Sequence, residues 1–148
     1  ITGITLNMST VTNTTLPVNL FQGNLSIKKL ILPSNLTEVA GCLFIYNSPT
    51  TTNLEEVHIP ASVTFVGSSA FSGCFLLKTV YFYGTTMPTM SSYAFSWAGK
   101  DTTGHIVYIP TGSEGSYIDV TYFKQISNLD STYLFKTANK ANYDGSYP

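Results

Sequence analysis

Few residues in this chain have the chemistry for catalysis or metal binding, and their spacing suits neither role. His58 and His105 are its two histidines, and they fall in repeat segments that are separated by a third. A tetrahedral metal site needs several convergent ligands, and a nucleophile needs a base within hydrogen-bond reach. Because the sequence brings no such groups together, we expect no catalytic residue, no metal site and no cofactor, and we interpret both histidines as ordinary surface residues.

The two cysteines, Cys42 and Cys74, are too few for a disulfide framework or a thiolate metal site. Both follow a glycine, but they occupy different places in the repeat described below. We expect buried thiols that pack as small hydrophobic side chains. A single cross-link between the two is the alternative.

Aromatic side chains are more numerous than the histidines and cysteines, and they suit the binding of a partner. Phe, Trp and Tyr make up 14% of the 148 residues, whereas Asp, Glu, Lys and Arg make up only 10%, against about 25% in an average soluble domain. The chain contains no Arg, and its formal net charge is −1. It therefore has few groups to grip phosphates or to attract an anionic membrane, and we expect no nucleic-acid partner.

The sequence predicts no membrane insertion, because it has no run of 18 or more apolar residues. The opening residues Ile1, Thr2 and Gly3 lack the basic and apolar regions of a signal peptide. Because the first residue is not Met, we expect a processed or truncated product whose targeting segment lies upstream. The Thr, Ser and Asn content is typical of an exported protein, so we expect an extracellular or cell-surface location.

An internal repeat organises the chain and must position these side chains. Four segments, at residues 28–33, 55–60, 78–83 and 105–110, alternate apolar residues with polar or variable ones and recur at steps of 23 to 27 residues. This alternation is typical of half-buried strands. A second feature recurs at similar intervals. It is a phenylalanine at the equivalent position of each copy: Phe21, Phe44, Phe71 and Phe95. Repeats of this length bury a core only by stacking, so the pattern predicts a solenoid with a buried phenylalanine column.

Residues 53–74 read NLEEVHIPASVTFVGSSAFSGC. This segment closely resembles the BspA-type leucine-rich repeat, whose pattern runs LxxVxIPxSVTxIGxxAFxxC. The resemblance implies a leucine-rich-repeat solenoid, a right-handed α/β or β-β superhelix that is rich in strand and has little helix. We expect about five stacked coils with a parallel sheet on one side. The departures from the pattern lie at residues 43–46 and in an insert at 98–104.

The resemblance also suggests the domain boundaries. We expect one leucine-rich-repeat domain at residues 1–126, in which 1–15 are a degraded first repeat and 105–126 a closing repeat. Residues 127–148 lie outside the pattern and are interpreted as a C-terminal tail or cap.

If like positions stack, one row of side chains projects from the sheet. Its members are Thr5, Ile31, His58, Tyr81 and Tyr108. The last four form the sheet stripe, the binding surface that we expect, since exposed aromatic rows bind proteins or stack on sugars. The alternative is that these neighbours stabilise the sheet themselves, or that a loop or the C-terminal tail covers them.

Two further rows carry alternating charge. They place Lys28, Glu55 and Lys78 side by side, and Lys29 next to Glu56. We interpret these as surface pairs that help to set the register, and not as a binding code.

Two functions remain open from the sequence. The resemblance implies export to a bacterial surface and, in some members, adhesion, so the first is a non-enzymatic module that binds a protein or glycan partner on host or neighbouring cells. The second is a structural spacer or capping module of a larger surface protein. An enzyme would need a pocket built by the insert at 98–104 or by the tail. The sequence does not determine the oligomeric state.

Overall fold

A computed structural model describes residues 3–5, 20–21, 26–41, 43–44, 53–91, 94–95, 98–117 and 139–148. These residues form two parallel sheets, and no helix is found among them. In the part of the chain that is described, nothing is both helical and long and apolar enough to cross a membrane.

Nine strands make up the two sheets. In chain order they are β1 (Gly3–Thr5), β2 (Lys29–Ile31), β3 (Glu38–Val39), β4 (Glu56–Ile59), β5 (Phe65–Val66), β6 (Thr79–Phe82), β7 (Thr89–Met90), β8 (Ile106–Pro110) and β9 (Asn139–Tyr143). The larger sheet has the order β1-β2-β4-β6-β8-β9, and the smaller has the order β3-β5-β7. The chain passes through the smaller sheet at β3, β5 and β7 between successive strands β2, β4, β6 and β8 of the larger sheet, as the coils of a solenoid do.

The register of the larger sheet confirms that the repeat segments lie over one another. Leu30 pairs with Val57, Val57 with Val80, and Val80 with Val107. All four are buried, because alternate side chains of a strand point to the same face and this face meets the core. The prediction of a parallel sheet built from equivalent residues is therefore confirmed.

The predicted phenylalanine column is also present. Ring centroids lie 5.2 Å apart for Phe21 and Phe44, 6.4 Å for Phe44 and Phe71, and 5.0 Å for Phe71 and Phe95. Each ring is at most 7% exposed. Aromatic pairs at such distances attract one another beyond the burial of their area, so the column joins successive coils through the core.

The smaller sheet is the return side of each coil. Its core-facing residues are Val39, Val66 and Met90, which pair in register and are all buried. Next to this sheet, a Cβ at Gly67 would overlap the backbone of Gly41, and a Cβ at Gly41 would lie 2.7 Å from the carbonyl oxygen of Ser68. Two adjacent coils thus pack backbone against backbone at this corner.

The C-terminal residues extend the larger sheet. Strand β9 pairs with β8 in parallel, with Tyr108 opposite Ala141 and Pro110 opposite Tyr143. This strand belongs to the segment that the sequence indicated as a tail or cap, and its residues 139–143 add a strand to the described part of the sheet. The boundary predicted at residues 126 and 127 lies outside the described residues and stays a prediction.

Of the two cysteines, Cys74 lies among the described residues. Cys74 is buried in the core, as expected, whereas Cys42 lies outside the described residues. The cross-link between the two, which was the alternative to buried thiols, is therefore not tested.

Candidate functional site

The four residues of the predicted sheet stripe lie side by side on the outer face of the larger sheet. Ile31 pairs with His58, His58 with Tyr81, and Tyr81 with Tyr108. The rings of His58 and Tyr81 are stacked with centroids 4.3 Å apart and planes 5° apart, and those of Tyr81 and Tyr108 are 4.4 Å and 12° apart. We call His58, Tyr81 and Tyr108 the aromatic ladder.

The geometry of the aromatic ladder determines what it shows to solvent. Its centroid spacing is close to the distance of roughly 4.8 Å between neighbouring strands, so the ring faces point from strand to strand. Each face of Tyr81 is therefore covered by a neighbouring ring, and its edge and hydroxyl group point outward. Tyr81 and Tyr108 are both half-buried, and burial raises the pKa of Tyr81.

His58 differs from the expectation of an exposed residue, because it is only 5% exposed. Its ring is held at both nitrogens. Nε2 donates to Oε1 of Glu56, and Nδ1 accepts a hydrogen bond of 2.6 Å from the hydroxyl group of Tyr83. Burial lowers the pKa of His58, although the neighbouring carboxylate of Glu56 opposes this shift. The prediction of a surface histidine is therefore wrong, and His58 anchors one end of the ladder.

Tyr83 belongs to this site and was not singled out by the sequence. It follows β6 at the place where the other repeat segments end in a proline, as at Pro60 and Pro110. Its ring lies 5.7 Å from that of His58 and 6.2 Å from that of Tyr81. The sequence feature that could have identified Tyr83 is the replacement of a strand-ending proline by tyrosine. This replacement places a large ring beside the ladder.

The C-terminal segment adds a second layer of tyrosines. Tyr143 lies 5.1 Å from Tyr81 and 5.6 Å from Tyr83, with its ring nearly perpendicular to both. Because the faces of Tyr81 are already covered, Tyr143 contacts its ring edge. Perpendicular contacts of this kind are among the preferred aromatic geometries.

Tyr147 extends this layer toward the first strands. Its ring is perpendicular to that of Tyr83 at 4.8 Å, and its hydroxyl group donates to the carbonyl oxygen of Leu32 and, at 3.4 Å, lies near that of His58. Burial raises its pKa. The C-terminal tail therefore covers part of the outer face, which was the alternative that the sequence left open.

Stacked parallel strands in two sheets with a buried phenylalanine column are the geometry of a repeat solenoid, and a comparison with family models decides which kind. The model of the BspA type leucine rich repeat region matches residues 2–50 and 45–144, in six copies. The chain belongs to the BspA-type leucine-rich-repeat family. The resemblance inferred from residues 53–74 is therefore confirmed.

The BspA-type family is typically found on bacterial surfaces, leucine-rich-repeat domains generally mediate protein interactions, and such repeats are generally non-enzymatic scaffolds. Comparisons with curated proteins and with solved structures give no significant match.

Of the two predicted charge rows in this BspA-type domain, one forms an ion pair. Nζ of Lys29 lies 3.7 Å from Oε1 of Glu56. Lys28, Glu55 and Lys78 are neighbours through backbone hydrogen bonds of 2.8 Å and 2.9 Å. Their side chains are exposed and, within the described residues, form no ion pair. They lie just before the strands begin, where solvated side chains gain little from pairing.

The other histidine of the BspA-type domain lies apart from the ladder. Nε2 of His105 donates to the carbonyl oxygen of Gly99 at 3.1 Å, and burial lowers the pKa of His105. Among the residues that the structure describes, no three His, Cys, Asp or Glu side chains are placed to hold a metal ion.

A cavity of about 450 Å³ lies at the corner between the two sheets of the BspA-type domain. It is lined by Tyr83, Met87 and the threonines of the loop after β6, and within the described part of its lining Tyr83 alone has an ionisable side chain. The loop is held from inside by Tyr117, whose hydroxyl group donates to the carbonyl oxygen of Gly84 at 2.8 Å. The cavity thus has a fixed wall on this side.

Proposed function

We propose that this domain is a non-enzymatic binding module, displayed outside the cell, which holds a protein partner on the outer face of its larger sheet. The observation that carries the proposal is the half-buried ladder of Tyr81 and Tyr108, fixed on a parallel sheet by stacking at 4.4 Å. Tyrosine combines a large apolar ring with a hydroxyl group, which makes it frequent at protein interfaces.

Two properties of the face support a protein partner. The outward residues around the ladder on β6 and β8, namely Thr79, Ile106 and Pro110, carry no charge, and the central part of a protein interface is depleted in charge. In addition, the ladder is rigid before binding, so little conformational entropy is lost when a partner docks.

A protein suits the exposed atoms of the ladder better than a sugar does. A sugar ring stacks its apolar side on a flat aromatic face, whereas both faces of Tyr81 are covered by His58 and Tyr108. At Tyr81 the ring edge and the hydroxyl group remain, and these suit the side chains and backbone groups of a polypeptide, whereas the outer face of Tyr108 would also accept a sugar, which the glycan array tests. The common occurrence of the BspA-type family on bacterial surfaces supports display outside the cell.

A binding screen tests the proposal. The purified domain is assayed against a panel of host matrix proteins, with a glycan array in parallel. The double variant Tyr81→Ser/Tyr108→Ser should lose binding to a protein of the panel. The matched control is Phe65→Ser, because Phe65 is a half-buried aromatic residue on the smaller sheet. The control should bind as the wild type does.

The alternative function, a structural spacer with no ligand, has one observation in its favour. Tyr143 and Tyr147 already contact the tyrosines of the outer face, so the aromatic side chains also stabilise the fold. The absence of any bound protein, with a lower melting temperature in Tyr81→Ser/Tyr108→Ser, would establish the spacer. Binding to glycans alone, lost in the same variant, would replace the protein partner by a glycan.

A further inference from the structure

The aromatic ladder has an open end at Tyr108. One face of this ring is covered by Tyr81, with the planes 12° apart. The opposite face points to the next strand, where Ala141 occupies the same row in register. A methyl group fills far less space than a ring, and both Tyr108 and Ala141 are half-buried.

The tyrosines of the described residues leave this place open. Tyr143 is on the same strand as Ala141, but its ring lies 6.0 Å from Tyr108 and only 5.1 Å from Tyr81. It therefore leans back over the inner part of the ladder and away from Ala141. Among the described residues, the result is a slot with Tyr108 as its wall and Ala141 as its floor.

We propose that this slot binds one aromatic side chain of the protein partner, which stacks on Tyr108 above Ala141 as the next ring of the ladder. The inference rests on the proposed function and specifies its chemistry. Strand spacing repeats along the sheet, so a ring over Ala141 would meet Tyr108 at the distance of 4.3 Å to 4.4 Å that separates the rings inside the ladder.

The chain itself shows that this face accepts tyrosine side chains. Tyr143 and Tyr147 come from the C-terminal segment and pack on the tyrosines of the face. Near the slot, the outward residues Ile106 and Pro110 of β8 carry no charge. A neutral aromatic side chain matches this surface, and a carboxylate or an ammonium group would lose its hydration there without a partner.

Nuclear magnetic resonance titration of the whole chain tests the slot directly. The probe is N-acetyltyrosinamide, with N-acetylleucinamide and methyl β-glucoside as matched ligands that lack the aromatic ring. The aromatic probe should move the ring-proton resonance of Tyr108 upfield, because the probe stacks on the face of that ring. The other two should leave that resonance in place. No shift with the aromatic probe, or an equal shift with the leucine or sugar probe, would overturn the inference.

Two variants test the walls of the slot. Ala141→Phe should fill it from within and abolish the response of the Tyr108 ring resonances, whereas the control Ala141→Ser should keep that response. Tyr108→Ser should weaken the affinity for the aromatic probe roughly two- to tenfold, which is the loss expected for one stacked aromatic pair. Melting curves establish that each variant is folded, and Ala141→Phe keeps the test valid if Tyr108→Ser does not fold. An unchanged response in Ala141→Phe would contradict the inference.

Failure of the slot and failure of the proposed function give different results. A protein that needs Tyr81 and Tyr108 but binds Ala141→Phe as tightly as the wild type would refute the slot and leave the proposed function standing. Response to the aromatic probe, with no protein bound in the screen, would refute the proposed function and leave the slot standing.

Discussion

Tyr147 donates a hydrogen bond to the backbone carbonyl of Leu32, a residue 115 positions earlier in the chain. The contact connects the end of the C-terminal segment to the residue that follows β2, an inner strand of the larger sheet. Because the ring of Tyr147 also packs on Tyr83, this segment is fastened by a hydrogen bond and by an aromatic contact.

Replacing this hydroxyl group should lower stability without removing the ring. Tyr147→Phe leaves the carbonyl of Leu32 without this donor, and we expect a loss of about 0.5–1.5 kcal/mol in the free energy of unfolding. Urea unfolding measures the change. A variant as stable as the wild type would show that the hydroxyl group does not fasten the segment.

Truncating the middle of the phenylalanine column should be far more costly. Phe71 is fully buried between Phe44 and Phe95, so Phe71→Ala removes the ring and leaves a cavity. We expect a loss of about 3–5 kcal/mol, measured by chemical unfolding. Phe65→Ala, at a half-buried position outside the core, should lose clearly less, and equal losses would argue against the column as the main contact between coils.

The close approach of two coils at Gly67 should exclude any side chain. A Cβ at this position would lie 2.9 Å from the carbonyl carbon of Ala40 and even closer to the backbone of Gly41, and the backbone must move to relieve the overlap. We expect Gly67→Ala to cost about 1–3 kcal/mol or more.

Gly115→Ala is the control for this prediction, because a Cβ there meets nothing within 4 Å. It should be neutral or slightly stabilising, since alanine restricts the unfolded chain. Thermal unfolding of both variants gives the comparison. A Gly67→Ala protein with the melting temperature of Gly115→Ala would mean that the two coils are farther apart than described.

Stability should fall as the pH drops below about 6.5, the ordinary pKa of histidine. Burial lowers the pKa of both His58 and His105, so the unfolded chain binds protons that the folded chain does not. Stability is therefore complete above the unfolded value, and it declines toward the lower folded values. The charged or titratable groups that act on His58 in this pH range are Glu56, Lys29 and Tyr83.

Unfolding in urea at a series of pH values between 7.5 and 5 measures this decline. His58→Gln and His105→Gln should each flatten it, because each removes one group with a lowered pKa, and the double variant should flatten it most. A decline that is unchanged in the double variant would assign the effect to other groups.

The pattern of the sequence determined the repeats, the parallel register and the core. Alternating residues in segments such as 55–60 and a phenylalanine such as Phe71 in each copy suffice for this, because stacked repeats place equivalent residues next to one another whatever their exact length. The same argument places His58, Tyr81 and Tyr108 in one row from the sequence alone.

The tertiary structure alone decided how much of that row reaches solvent. The burial of His58 depends on Glu56 and Tyr83, and the cover over the ladder comes from Tyr143 and Tyr147, far away in the sequence. Local periodicity carries no information about such contacts, because they depend on where a distant segment returns and on the direction of individual side chains. The row of residues thus follows from the repeat, but its open slot follows from the path of the C-terminal strand.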